Sequence, residues 1–345
     1  MGAALVAIVA LQLYVQYQLN YWNRDFFNAL ERRDSNALLT QALLMLPLGA
    51  ASIALATASV WGRMTTQRRW REWLTTHLIR YWLENERYVG LARVDGEHKI
   101  PEYRIAEDAR IATDAPIDFA LGLLSSLMTA VVFIQILWNV GGDATLSISG
   151  LTIRIPGYLV ISVVIYSGLI TTAMLLVGAP LTRMIARKNQ AEAELITAAH
   201  AVREVGEGLA PAENKVEARL ELWGAVTVVL AQWRKLCWQL VRTTLVSQGN
   251  SLLAPIVGLV LCAPKFLAGT ITLGELTQAA AAFTLVQSSF GWLVDNYARV
   301  ADWASSIDRV GGLLLALDQL NGKPLPAVKT LMPGAVPVTR EAGVP

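Results

Sequence analysis

"SNALLTQALLMLPLGAASIALATASVWG" (Ser35–Gly62) contains no Asp, Glu, Lys or Arg. As a helix it outspans a hydrocarbon core of roughly 30 Å, which about 20 helical residues cross. A buried helix of a soluble domain rarely runs so far without a charge. Just before it lies "LNYWNRDFFNALERRD" (Leu19–Asp34), where acids and arginines sit among aromatics and asparagines. Before that comes another uncharged run, 1–23. That first run lacks the basic start and small-residue cleavage site of a signal peptide, and is expected to be a first span.

Working outward, four more uncharged runs follow: 119–142, 155–182, 243–264 and 276–294. Composition agrees. The chain is 54% hydrophobic and 16% charged, against about 25% charged in an ordinary soluble domain. The expected fold class is all-α integral membrane, with six transmembrane helices. The net charge of +2 gives no sign of a nucleic-acid partner.

The links between runs alternate in length. The short links hold Arg24, Arg32, Arg33, Arg154 and Lys265, while every other Lys and Arg lies in the long segments 63–118 and 183–242 or in the tail 295–345. The positive-inside rule puts the long segments and both termini in the cytoplasm. Cys237 and Cys262, near opposite ends of the fifth run, are expected to be unbridged small apolar residues.

The inner segments read as helices. In Arg63–Val89, Trp70, Trp73, Leu74, His77, Leu78, Tyr81 and Trp82 fall at helical spacing, with arginines on the other faces. Those arginines suit anionic lipid or snorkelling on a packed helix. Lys188–Lys235 is helix-forming and breaks near Gly206–Pro211. Six spans with short outer links and long helical inner excursions match the layout of the exporter-type ABC transmembrane domain. The domain is expected over 1–317, followed by a flexible cytoplasmic tail, 318–345.

Several motifs carry a resemblance: "NYWNRDFFNAL" (Asn20–Leu30), "RRWREWLTTHLIRYWLENERYV" (Arg68–Val89), "YRIAEDAR" (Tyr103–Arg110), "IPGYLV" (Ile155–Val160), "GAPLTRM" (Gly178–Met184) and the stretch Phe266–Val310. In this order they resemble the SbmA/BacA-like peptide transporters. They resemble more closely the bacterial ABC half-transporters of the peroxisomal fatty-acyl type. The resemblance implies a homodimer in the bacterial inner membrane and import of peptides or peptide-like amphiphiles by alternating access. It also implies an exchange of the fourth and fifth spans between subunits. Half-transporters carry a C-terminal ATPase, whereas the SbmA/BacA type uses the proton gradient.

These 345 residues hold no G-x-x-x-x-G-K-[ST] phosphate loop. The second inner segment, "VREVGEGLAPAENKVEAR" (Val202–Arg219), departs from the half-transporter pattern. The leading expectation is therefore a proton-driven permease. The alternatives are a permease whose ATPase is on a separate or missing chain, and a non-transporting membrane scaffold. No cofactor is expected beyond ATP on such a partner, and no catalytic or metal site; His77, His98 and His200 are too scattered to ligate a metal.

The candidate cavity or proton-coupling groups are Asp118, Glu275 and Asp295, because ionisable groups at spans are often functional, together with Gln278 and Gln287, charge-free amides suited to contacting substrate or to hydrogen bonding between helices. Asp118 is also read as a carboxylate at a helix start, and Asp295, Arg299 and Asp302 as a ladder on one face. The candidate ATPase-coupling segment is Arg104, Ile105, Glu107 and Asp108. Trp22, Asp25, Phe26 and Phe27 are candidates for an outer rim, or for an aromatic belt.

Overall fold

The computed structural model describes residues 2–91, 101–148, 151–208, 211 and 215–320. His98 and the tail from residue 321 lie outside the described residues. The described residues form seven long helices: α1 (Gly2–Glu31), α2 (Ser35–Leu83), α3 (Pro101–Gly141), α4 (Tyr158–Gly178), α5 (Leu181–Gly206), α6 (Lys215–Leu267) and α7 (Leu273–Gln319). Among the described residues, five stretches are long and apolar enough to cross a membrane: α1, Ser35–Gly90, α3, α4 with α5, and α6. The expected sixth run, 276–294, lies within α7. Its glutamines, serines and threonines make it more polar. In unhydrated hydrocarbon only a helix or a closed barrel satisfies its own backbone, so uncharged runs of this length fold as helices.

Several boundaries differ from the sequence reading. The segment Asn20–Asp34, between the first two uncharged runs, is mostly helical: α1 continues to Glu31, and only Arg32–Asp34 turn. Arg33 takes the left-handed conformation (φ 54°). Asp34 then caps α2, accepting from the backbone N–H of Asn36 (3.0 Å) and Ala37 (3.1 Å). The short link 143–154 holds a β-ribbon, β1 (Asp143–Ile148) antiparallel to β2 (Leu151–Pro156). Gly157, with φ 60°, ends the ribbon and starts α4, and a side chain there would strike the Trp138 ring. The last helix, α7, reaches Gln319.

The chain divides into two compact units. One holds residues 1–132 and the chain from Asp295 onward; the other holds 133–294. In the first, α1 packs along α2. Its core gathers Leu74 and Leu78 of α2, Leu91, Ile105 and Ala109 of α3, and Val310, Leu313 and Leu317 of α7, with Trp73, Tyr81 and Trp82 against them. In the second, α5 and α4 pack on α6. Gly258 of α6 meets α7 at Ala280 and Phe283, so small residues allow the close approach that helix packing in membranes exploits.

Candidate functional site

The "RIAED" segment forms a π-turn, Arg104–Asp108, near the start of α3. The extra residue in a π-turn shifts the helix faces, and such turns often mark functional positions. Ile105 and Asp108 face inward. Asp108 is 1% exposed and sits between two guanidinium groups. Arg104 donates to its Oδ2 (2.9 Å), and Arg309 of α7 reaches Oδ1 through Nη2 (2.7 Å) and Nε (3.0 Å). Arg309 also donates to Ser305 and Ser306. Burial pushes the Asp108 carboxyl upward, but the hydrogen bonds from Arg309 and Arg104 outweigh it and hold it below the ordinary carboxylate range. Glu107 turns outward to Arg110 (2.6 Å). Two of the four candidate coupling residues are thus committed to the protein's own core.

Asp118 lies well inside α3, not at a helix start, because α3 begins at Pro101. The helix-dipole reading of this carboxylate falls with that. Its partners are side chains: Arg299 of α7 at 3.0 Å, Arg63 of α2 at 3.6 Å, and the Gln67 amide at 2.9 Å. Gln67 also donates to the Asp114 carbonyl (3.0 Å). Burial raises the Asp114 carboxyl. Beside the cluster, Arg299 stands over the Phe119 ring (5.7 Å), which meets Trp303 edge-on (6.0 Å). Arg299 therefore turns across to α3, where the sequence reading put it in a ladder with Asp295 and Asp302. Asp295 is exposed on α7.

The other cavity candidates belong to the second unit. Glu275 forms a capping box with Thr272 at the start of α7. Its carboxylate accepts from the Thr272 N–H (2.9 Å), and its own N–H donates to the Thr272 hydroxyl (3.2 Å). Gln278 and Gln287 are buried in the same helix, 1% and 6% exposed. Nearby, Tyr166 donates to the Asn250 Oδ1 (3.1 Å) and rests against Phe283 (5.7 Å). Among the described residues, the buried polar side chains of this unit are Ser167, Gln239, Gln278 and Gln287.

The rim candidates are half-buried, and one of them, Trp22, ties α1 to α2. Trp22 donates its indole N–H to the Gln41 carbonyl (2.8 Å) and stacks on Phe26 (5.3 Å), which meets Phe27 edge-on (5.6 Å). Asp25 pairs with Arg24 (2.8 Å).

One feature was not singled out in the sequence. An open cleft of about 800 Å³ runs along one face of α2, past Thr57, Val60, Trp61 and Met64 to Arg68 and Arg69. Its apolar part lies at the end of the charge-free run and its cationic part just beyond. The signal was present as a stripe at helical spacing whose character changes from apolar to basic.

Residues 1–267 match the family described as ABC transporter transmembrane region 2. The chain belongs to this family. Among curated relatives, it is 28% identical over 315 residues to the inner membrane ABC transporter ATP-binding protein YddA of Escherichia coli K12, covering 89% of this chain and 55% of that protein. It is 22% identical over 318 residues to ABC transporter D family member 2, chloroplastic, of Arabidopsis thaliana, covering 90% and 42%. An uncharacterized ABC transporter ATP-binding protein of Haemophilus influenzae is 20% identical, covering 92% and 54%. The chain spans about half the length, or less, of these relatives. It is a multi-pass ABC transporter transmembrane region.

Proposed function

We propose that this ABC transmembrane region is the translocation domain of an inner-membrane importer, working as a homodimer with its termini in the cytoplasm. Its substrate is a peptide-like amphiphile with an apolar body and an anionic end, such as a peptide carboxylate. The α2 cleft carries this reading. Val60, Trp61 and Met64 offer an apolar wall, and the exposed Arg68 and Arg69 offer charge-assisted donors at one end. Transport proceeds by alternating access. ATP, bound and hydrolysed by a domain outside these 345 residues, drives it. Two observations favour this energy source. Two of the named relatives, those of Escherichia coli and Haemophilus influenzae, are ATP-binding proteins about twice as long. Asp118 and Glu275, two of the candidate proton carriers, hold ion-pair and capping partners. The proton-driven reading then rests on Asp295, exposed on α7.

The test is uptake of a fluorescent amphiphilic peptide into proteoliposomes holding the full transporter, with ATP or with a proton gradient. Uptake that needs ATP and persists when an ionophore collapses the gradient supports the proposal. Gradient-dependent uptake without ATP would replace it with the proton-driven reading, to be pursued through Asp295→Asn. No uptake under either condition leaves the scaffold reading. The double variant R68Q/R69Q is expected to raise KM at least about tenfold for an acidic-ended peptide, the equivalent of one lost charge-assisted pair, while leaving an amidated peptide unaffected.

A further inference from the structure

Two acids of α3 and two arginines of α7 form matching rungs. Asp108 pairs with Arg309, and Asp118 pairs with Arg299. The acids are ten residues apart on α3, and the arginines ten apart on α7 in the opposite chain order. The two helix segments therefore run antiparallel in one register, with rungs about 15 Å apart. Sliding α7 by one turn would break both rungs together.

The rungs differ in strength. The Asp108 rung is deep: the carboxylate is 1% exposed, is held by two arginines and lies against the apolar core around Ile105 and Val310. The Asp118 rung is shallow. Its arginines are 58% and 41% exposed, and Arg63 stands at 3.6 Å. Deep pairs are costly to break singly, whereas exposed pairs contribute little and weaken with salt. The shallow rung also lies next to the start of the third uncharged run, 119–142, where an inner mouth would open.

We infer that Asp108 with Arg309 is a fixed fulcrum, and that Asp118 with Arg299 and Arg63 is a releasable gate contact that parts when the inner mouth opens. All of these are positioning residues. The gate role rests on the alternating-access reading; the difference in strength between the rungs does not.

Spin-label distance measurements on the full protein, with Cys237 and Cys262 replaced by alanine, separate the two. One label pair, at Ala120 and Tyr297, reports the gate; a second, at Ala106 and Ile307, reports the fulcrum. All four positions are exposed. Raising salt from about 0.1 M to about 1 M shortens the screening length from about 10 Å to about 3 Å. The gate distribution is expected to broaden or lengthen while the fulcrum distribution stays narrow. D118N should broaden the gate pair at low salt, D118E should restore it, and D108N should broaden both pairs. If both pairs widen together in salt, or if the gate pair stays narrow in salt and in D118N, the inference is overturned.

The uptake assay tests the gate role. D118N should change the transport rate severalfold with unchanged protein yield, and D118E should return it. Wild-type transport with an unaltered D118N rate overturns the gate role. Absent wild-type transport refutes the proposed function and leaves the distances to decide the difference between the rungs.

Discussion

Asp108 concentrates more of the first unit's organisation than any other single side chain described here. It joins the π-turn of α3 to α7 and seals the edge of an apolar core. Replacing it with alanine leaves two guanidinium groups half-buried without their anion. Breaking a buried pair in this way costs about 3–5 kcal/mol, so D108A is expected to lower the unfolding temperature strongly in detergent, and more than E107A does on the exposed flank. The pH dependence follows from the depressed carboxyl. The folded state holds the charged form more tightly than the unfolded chain does. The stabilisation is full above the ordinary value of 3.8 and is lost as pH falls through the lower folded value. D108N should flatten that acid limb of the stability profile. His77 behaves in the same direction for a different reason. It lies stacked between Trp73 (5.7 Å) and Tyr81 (6.2 Å). Burial first, and Arg80 second, hold its imidazole below the ordinary 6.5. The unfolded chain therefore takes up a proton that the folded chain resists, and stability declines as pH falls below 6.5. Comparing unfolding temperatures at about pH 7.5 and about pH 5.5 should show a drop in the wild type that is smaller in H77F, which keeps the stack but cannot be charged.

The helices themselves were legible as uncharged runs, because lipid leaves the backbone no other unclosed solution. Their ends were not. A run ends where charge begins, but a helix does not, since Arg, Glu and Lys are good helix formers. Thus α2 continues 21 residues beyond Gly62 and α1 eight beyond Asn23. The same limit applies to sites. "RIAED" stood out as a motif, yet its partner Arg309 lies 201 residues away, and pairing across that separation has no local signature. Gly258 was silent for a related reason: a lone glycine in a span gains meaning only from the helix opposite. There a Cβ would stand 3.0 Å from the Ala280 Cα and 3.2 Å from the Phe283 Cβ. Backbone cannot swing aside as a side-chain tip does. G258V is therefore expected to part α6 from α7 and to destabilise by about 1–3 kcal/mol, the usual range for overpacking. G62A, whose nearest neighbour is the mobile Leu5 Cδ2, should cost much less, and thermal unfolding of the two variants in the same detergent makes the comparison.

At the scale of the molecule, long helices reach beyond the uncharged runs, and the protein's own thiols can report the side on which they emerge. α6, at 53 residues, is about 80 Å long, more than twice the hydrocarbon thickness. Only its 243–264 stretch is uncharged, so some 40 Å of its N-terminal part stands in water on one side. Cys237 lies on that part and is exposed, whereas Cys262 is buried in the span. In the proposed topology, which rests on the arginine and lysine distribution, the Cys237 side is cytoplasmic. A membrane-impermeant maleimide applied to right-side-out vesicles should leave the protein unlabelled, and the same reagent on inverted vesicles should add one label, at Cys237. Cys237→Ser should abolish the label and Cys262→Ser should not. Labelling of Cys237 from the outer face would reverse the topology. It would also move the Asp108 and Asp118 rungs and the α2 arginines to the outer side, away from any cytoplasmic ATPase. Labelling of Cys262 from either face would mean that the α6–α7 crossing at Gly258 opens enough to admit a reagent. That result would relocate the moving part of the transporter from α3 and α7 to the second unit.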